Sequence, residues 1–212
     1  MQAVAPKSRR HWAPRHSSKN GNKYAQYSLG LCYRRNDRGV NIDLKLAAEY
    51  FQKAAEQKYA PACYELGVSY YYGYGVEKDC KKAIELYKIA AENGYAHAQF
   101  KLGMCYYNGD NVTKDRIKAF SLLEQASKIE DAQYQVRLGI CYRDGEGVEK
   151  DMNKALELFD SAAKNGDLQA KYILGTLYEK VYNDMNKAKY WYEQSAEKGY
   201  DAARYALKSI KV

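Results

Sequence analysis

Two short patterns in the chain contain residue types that could form a serine nucleophile. The sequence Ser-x-x-Lys occurs at Ser161–Lys164 and at Ser195–Lys198. In penicillin-recognising enzymes the serine of this motif is the nucleophile. Those enzymes also carry Ser-Asp-Asn and Lys-Thr-Gly motifs, and this chain has neither. A covalent enzyme of this type, using Ser161 and Lys164, is therefore an alternative hypothesis rather than the leading one.

The other residues that could bind a metal or a phosphate are dispersed. The three histidines, His11, His16 and His97, are not grouped with cysteines, and no Cys-x-x-Cys occurs. The Gly-x-Gly sequences at 73–75 and 145–147 lack the third glycine and the preceding strand of a dinucleotide fingerprint. We therefore predict no catalytic residues, no metal site and no cofactor.

A sequence repeat predicts the secondary-structure elements that would position any functional side chain. A Leu-Gly pair recurs five times at a period of about 36 residues, with Tyr three residues after each Gly. An Asp then opens a second segment, and an Ala follows four residues later. The pairs are Leu29-Gly30, Leu66-Gly67, Leu102-Gly103, Leu138-Gly139 and Leu174-Gly175. A fixed period of this length predicts a solenoid, which offers surfaces rather than catalytic clefts.

Each repeat predicts two helices, as the second repeat illustrates. The first helix covers about 60–72, with Pro61 in the first turn, where its missing N–H is tolerated. The second helix starts after the N-cap Asp79 and ends at Asn93-Gly94. Gly67 lies in the middle of the first helix, where Gly costs about 1 kcal/mol relative to Ala. We therefore expect the partner helix to pack there, backbone to backbone.

The fold class predicted is an all-α, right-handed α-solenoid of five antiparallel helix pairs plus a C-terminal capping helix. The predicted divisions are a disordered basic N-terminal arm (1–20), five repeats (21–199) and the capping helix (200–212). In the fifth repeat the connection is shortened and lacks the two loop glycines, so a tighter or helically extended connection is expected. Four interpretations of the arm remain open: a solvated tail, a mitochondrial transit peptide, a nuclear localisation patch, or a contact for an acidic partner.

The net charge of +8 is confined to the start of the chain. The first 36 residues contain eight basic residues and no acid, so the rest of the chain carries equal numbers of basic and acidic residues. A solenoid that binds nucleic acid should carry its positive charge along the repeats. We therefore predict no specific nucleic-acid binding, and no apolar run predicts a membrane span.

Cysteine usage predicts a reducing compartment. Cys32, Cys105 and Cys141 occupy the same repeat position, and packed helices lie about 10 Å apart. Disulfides need Cα atoms within about 7 Å. Reduced thiols predict a cytoplasmic location, with the nucleus or mitochondrion as alternatives through the basic arm.

The motifs resemble those of the Sel1-like repeat (SLR) family, a relative of the tetratricopeptide repeat. The fourth repeat is most similar, with Leu138-Gly139, Tyr142, Gly145-Glu146-Gly147-Val148 and Asp151 in order. The resemblance covers about 22–210. It implies an adaptor that holds other proteins on a concave face lined by the first helix of each repeat. Some cysteine-rich bacterial relatives have been linked to β-lactam binding, which is the origin of the alternative hypothesis.

The concave stripe of the first helices gives the candidate partner-binding residues. One position changes chemistry between repeats, from Arg34 to Tyr71, Tyr107, Arg143 and Glu179. Arg and Tyr are enriched at binding hot spots, although a solvated position would also drift freely. Tyr64 and His97 lie on the same stripe, and Tyr64 could equally be a packing residue. The predicted set is Arg34, Tyr64, Tyr71, His97, Tyr107, Arg143 and Glu179.

The leading hypothesis is a non-enzymatic protein–protein interaction scaffold. It would bind a peptide or helix of a partner protein on the concave face. A third hypothesis is that the chain is one module of a larger complex, in which tyrosine-rich faces are buried in an oligomer.

Overall fold

The structure is a computed structural model that describes residues 21–35 and 41–210. The predicted N-terminal arm (1–20) and residues 36–40 lie outside the described residues. Within the described ranges all regular structure is helical, so the prediction of an all-α solenoid of five antiparallel helix pairs plus a C-terminal helix is confirmed. The chain divides into two compact units, one ending at Cys105 and the other starting at Tyr106.

Each repeat supplies one helix pair. The pairs are α1 (Lys23–Arg35) with α2 (Leu44–Ala55), α3 (Ala60–Tyr72) with α4 (Cys80–Glu92), α5 (Ala96–Asn108) with α6 (Arg116–Ala126), α7 (Ala132–Asp144) with α8 (Met152–Lys164), and α9 (Leu168–Lys180) with α10 (Met185–Ala196). A 3-10 turn, Ser127–Ile129, follows α6, and the terminal helix α11 covers Asp201–Ser209. The first unit contains α1 to α4 and the second contains α6 to α11.

The recurring Asp begins the second helix of every repeat. In the second repeat, the Asp79 carboxylate accepts a hydrogen bond from the Lys82 N–H at 3.0 Å, the N-cap geometry that stabilises a helix by about 1 kcal/mol. The Asp79 backbone N–H also donates to the Tyr70 carbonyl at 2.9 Å. All five repeats make the corresponding backbone bond, which explains why Tyr and Asp keep their spacing.

The mid-helix glycine marks a close approach, but its contact is a side chain. A Cβ at Gly67 would lie 2.7 Å from the ring of Tyr87, which is completely buried. Gly30, Gly139 and Gly175 face Phe51, Phe159 and Tyr192 in the same way. The expected backbone-to-backbone contact is therefore only part of the packing: the Ala83 carbonyl oxygen would lie 3.3 Å from a Cβ at Gly67, and the Tyr87 ring is closer. In these four repeats a flat ring from the second helix fills the space that glycine leaves, so each of the four buries one large aromatic side chain.

The second loop glycine has a different role, because it touches the preceding repeat within each unit. Gly147 adopts φ +78°, and a Cβ there would lie 2.0 Å from the Arg116 carbonyl oxygen. Gly75 approaches the Leu44 carbonyl equally closely. These loops therefore pack against the start of the second helix of the previous repeat.

The fifth repeat achieves its shorter connection without extending the helix. α9 has 13 residues, like the first helices of the other repeats. Asn183 takes the positive φ of 53° that glycine provides elsewhere. The connection is thus the tighter of the two forms expected.

All five cysteines are reduced thiols that form no disulfide, and four of them are buried. Burial raises the pKa of the Cys141 thiol to about 11.

None of the helices in the described ranges has the length and apolar character needed to cross a bilayer.

Candidate partner-binding face

In the first unit, an ion pair joins the first helices of consecutive repeats. Both terminal N–H groups of Arg34 on α1 donate hydrogen bonds to the Glu65 carboxylate on α3, one of them at 3.0 Å. Glu65 is only 6% exposed. The Arg34 guanidinium also lies 5.7 Å from the centre of the Phe51 ring. Arg34 is therefore held in place by its own chain on two sides.

Tyr71 of α3 contacts a lysine on α5, the first helix of the following repeat. The Lys101 ammonium on α5 lies 4.4 Å from the centre of the Tyr71 ring and 5.4 Å from that of Tyr72. It also donates a hydrogen bond to the Tyr72 hydroxyl at 3.2 Å. Cation–π contacts of this kind contribute about 0.5–1 kcal/mol at exposed positions. Tyr71 is half-buried and also contacts the Tyr87 ring, 6.4 Å away.

Tyr64 and His97 belong to a cluster of rings beside this pair. The Tyr64 ring lies 5.5 Å from Tyr95 and 6.1 Å from His97, and His97 stacks on Tyr95 at 5.2 Å. Tyr64 is half-buried, whereas His97 is exposed. Burial and the nearby Glu65 carboxylate raise the pKa of Tyr64 to about 12, so its hydroxyl stays protonated at neutral pH. The structure therefore brings these two predicted residues into contact.

In the second unit, the guanidinium groups of two arginines lie close to the Tyr107 ring. Arg116 lies 3.8 Å from its ring centre and Arg137 lies 5.5 Å away. Arg116 also bonds Glu146 at 2.6 Å. Burial raises the pKa of Tyr107, and a hydrogen bond to Glu146 raises it further.

Arg143 and Glu179 are bonded within their own repeats. Arg143 makes two hydrogen bonds to the Asp144 carboxylate, at 2.8 and 2.7 Å, which lower the pKa of Asp144. Glu179 accepts a hydrogen bond from the Tyr192 hydroxyl at 2.6 Å. Both side chains are half-buried.

The sequence did not reveal the partners of the position whose residue type varies between repeats. We call this the variable position: Arg34, Tyr71, Tyr107, Arg143 and Glu179. These partners directly precede a Leu-Gly pair, and each contacts the variable residue of the repeat before it. We call these contacts the inter-repeat pairs: Arg34 with Glu65, Tyr71 with Lys101, and Tyr107 with Arg137. At these three positions the residue type suits the partner in the next repeat, whereas Arg143 and Glu179 are bonded within their own repeats. A comparison of the residues before each Leu-Gly would have revealed the signal.

Neither Ser-x-x-Lys pair has the geometry of an activated serine. The Lys164 ammonium lies 2.5 Å from the Asp160 carboxylate. Ser195 is completely buried and donates its hydroxyl hydrogen to the Leu168 carbonyl at 2.8 Å. The Lys164–Asp160 pair lies on the surface of α8, and Ser195 joins α10 to α9, so the geometry gives the β-lactam hypothesis no support.

Comparisons with known proteins agree with the repeat architecture. A comparison with curated proteins gave no match. The solved structure of a Sel1 repeat protein from Oxalobacter formigenes is 31% identical, covers 90% of this chain and 78% of that chain, and has a TM-score of 0.78. A protective antigen of uropathogenic Escherichia coli with an SLR fold is 29% identical with a TM-score of 0.85. That match covers 98% of this chain and 44% of the antigen, so this chain spans less than half of the antigen.

The repeat boundaries are matched one by one by a family model. The Sel1 repeat model matches residues 23–59, 60–95, 96–130, 132–167 and 168–200. Sel1 repeat proteins generally act as protein-interaction scaffolds. With five matched repeats that together cover most of its length, the chain belongs to the Sel1 repeat family.

Proposed function

We propose that this protein is a non-enzymatic adaptor that binds a peptide or helix of a partner protein on the face of its first helices. In the first unit this face carries Arg34, Tyr64, Tyr71 and His97. In the second unit it carries Tyr107, Arg143 and Glu179. The five free thiols favour a reducing compartment such as the cytoplasm.

The observation that carries the proposal is the arrangement of rings in the first unit. Tyr64 and Tyr71 are half-buried, and each is backed by the buried Tyr87 at 5.7 and 6.4 Å. His97 is exposed beside Tyr64. Side chains that are already fixed lose little conformational freedom on binding, which favours affinity. Tyrosine is also enriched among the residues that dominate binding energy.

The ion pair between Arg34 and Glu65 helps to fix the helices that carry these rings. It links α1 to α3, and the Lys101 contact links α3 to α5. The side chains that would contact a partner therefore lie on helices whose relative positions are fixed within the unit. A rigid scaffold of this kind suits a binding surface better than a mobile loop does.

A selection of random 12-residue peptides displayed on phage, with the full chain as target, tests the proposal. Peptides recovered with the wild type are then titrated against the double variant Tyr71→Ala/His97→Ala. The control is Tyr190→Ala, because Tyr190 is 53% exposed on the second helix of the fifth repeat. Circular dichroism verifies that each variant is folded.

We expect the double variant to weaken peptide binding about tenfold or more, and the control less than twofold. Peptides that bind the folded double variant as tightly as the wild type would contradict the proposed face. A selection that recovers no specific peptide would contradict the proposed function.

A further inference from the structure

Arg137 differs from the other half-buried arginines that the structure describes. Arg34, Arg116 and Arg143 each bond a carboxylate: Glu65, Glu146 and Asp144 respectively. Among the described residues, Arg137 forms no ion pair with any acid, and its guanidinium contacts the Tyr107 ring. A partly desolvated charge without a partner is unfavourable, so such a group is a candidate for binding an external anion.

The surroundings of Arg137 leave its charge uncompensated. Glu146, which lies beside the same tyrosine, is already bonded by Arg116 at 2.6 Å and by the Tyr107 hydroxyl. Asp144 is bonded twice by Arg143. The acids of this cluster are therefore committed to other partners, and the net charge at Tyr107 is that of Arg137.

We propose that Arg137 binds the carboxylate of a Glu or Asp side chain in an acidic segment of the partner. The inference rests on the proposed function and names the chemistry of the partner at the second unit. A guanidinium carries five N–H donors in one plane, which fit the two oxygens of a carboxylate. Contact with the Tyr107 ring restrains the guanidinium without occupying its N–H donors, so those donors remain available.

The charge distribution favours an acidic peptide over a nucleic acid. A nucleic acid presents a phosphate at every nucleotide, so it is bound by many basic side chains in a row. In this cluster Arg116 and Arg143 are each bonded to an acid, which leaves Arg137 as the half-buried arginine whose charge is uncompensated. One guanidinium matches one carboxylate.

The test uses a fluorescein-labelled hexaglutamate peptide and the full chain at low salt, followed by fluorescence anisotropy. Arg137→Met removes the donors but keeps the long stem. Arg204→Met is the matched control, because it removes the same charge from an exposed arginine that bonds only Asp201. We expect Arg137→Met to weaken binding about tenfold and Arg204→Met less than twofold. Equal effects of the two variants would overturn the proposal, since they would show unspecific attraction.

The side-chain Nε–H NMR resonance of Arg137 gives a second readout in the wild-type protein, so the test does not depend on the folding of a variant. Hexaglutamate should shift this resonance to saturation, whereas hexaglutamine should not. Inorganic phosphate is the third probe. A resonance that responds to phosphate and not to hexaglutamate would overturn the assignment to a carboxylate, as would one that responds to none of the probes.

The two proposals fail in different experiments. If displayed peptides bind through Tyr71 and His97 while hexaglutamate leaves Arg137 unaffected, only the acidic-segment inference is wrong. If hexaglutamate binds at Arg137 while no displayed peptide depends on Tyr71 and His97, the proposed function at the first unit is wrong.

Discussion

Replacing Gly147 by Ala should be far more damaging than replacing Gly145, although both lie in one loop. Both adopt a positive φ, +78° and +74°, so Ala costs about 1–2 kcal/mol at either position. A Cβ at Gly145 would have its nearest neighbour at 3.4 Å, which is ordinary contact. A Cβ at Gly147 would lie 2.0 Å from the backbone oxygen of Arg116, which cannot rotate away.

The backbone must therefore move in the Gly147→Ala variant, and forced overpacking adds about 1–3 kcal/mol. We expect a loss of about 2–5 kcal/mol in the free energy of unfolding for Gly147→Ala, against about 1–2 kcal/mol for Gly145→Ala. Urea unfolding followed by circular dichroism at 222 nm measures both. The m-value must also be compared, because repeat arrays can lose two-state behaviour.

The first unit offers an independent replicate of this comparison. A Cβ at Gly75 would lie 2.0 Å from the Leu44 carbonyl oxygen, whereas a Cβ at Gly73 would have its nearest neighbour at 3.6 Å, and both glycines have positive φ. If Ala at Gly75 and Gly147 costs no more than Ala at Gly73 and Gly145, the reasoning that these loops pack tightly on the preceding repeat is refuted.

Three further changes test individual contacts. Glu65→Gln leaves a half-buried guanidinium without its carboxylate and should cost about 2–3 kcal/mol in urea unfolding; a loss under about 0.5 kcal/mol would contradict this. Tyr192→Phe removes a bonded hydroxyl and should cost about 1–2 kcal/mol, whereas Tyr87→Phe removes a buried hydroxyl that has no hydrogen-bond partner and should be neutral or stabilising. Asp144 has a lowered pKa in the folded chain, so its stabilisation is complete above the ordinary value of 3.8 and is lost as the pH falls through the folded value. The difference in urea midpoint between wild type and Asp144→Asn should therefore shrink below about pH 4, and a difference independent of pH would contradict the assignment.

The helix pairs were predictable because their signals are local and recur. Asp79 marks the start of α4, and the predicted helix at 60–72 coincides with α3. Each of these signals lies within a few residues of the structure that it determines, and five copies confirm one another. A single repeat would have given a much weaker prediction.

The contacts across the repeats were not predictable in the same way. Arg34 and Glu65 are 31 residues apart, and the corresponding pair in the next repeat is Tyr71 with Lys101. A search for a constant residue type finds neither, because an ion pair and a cation–π contact solve the same packing problem with different chemistry. The ring beneath Gly67 was missed for a related reason: spacing shows that something is close, but not which atoms are.

The inter-repeat pairs also determine which repeats can be neighbours. If the second repeat were excised, Arg34 would meet Lys101 in place of Glu65, and two cations would face each other where an ion pair had been. If the first repeat were duplicated, Arg34 would meet Ser28, which is too short to reach it as a carboxylate does. The repeats share one backbone plan, but the inter-repeat pairs use different side chains, so the repeats that carry these pairs are not interchangeable units.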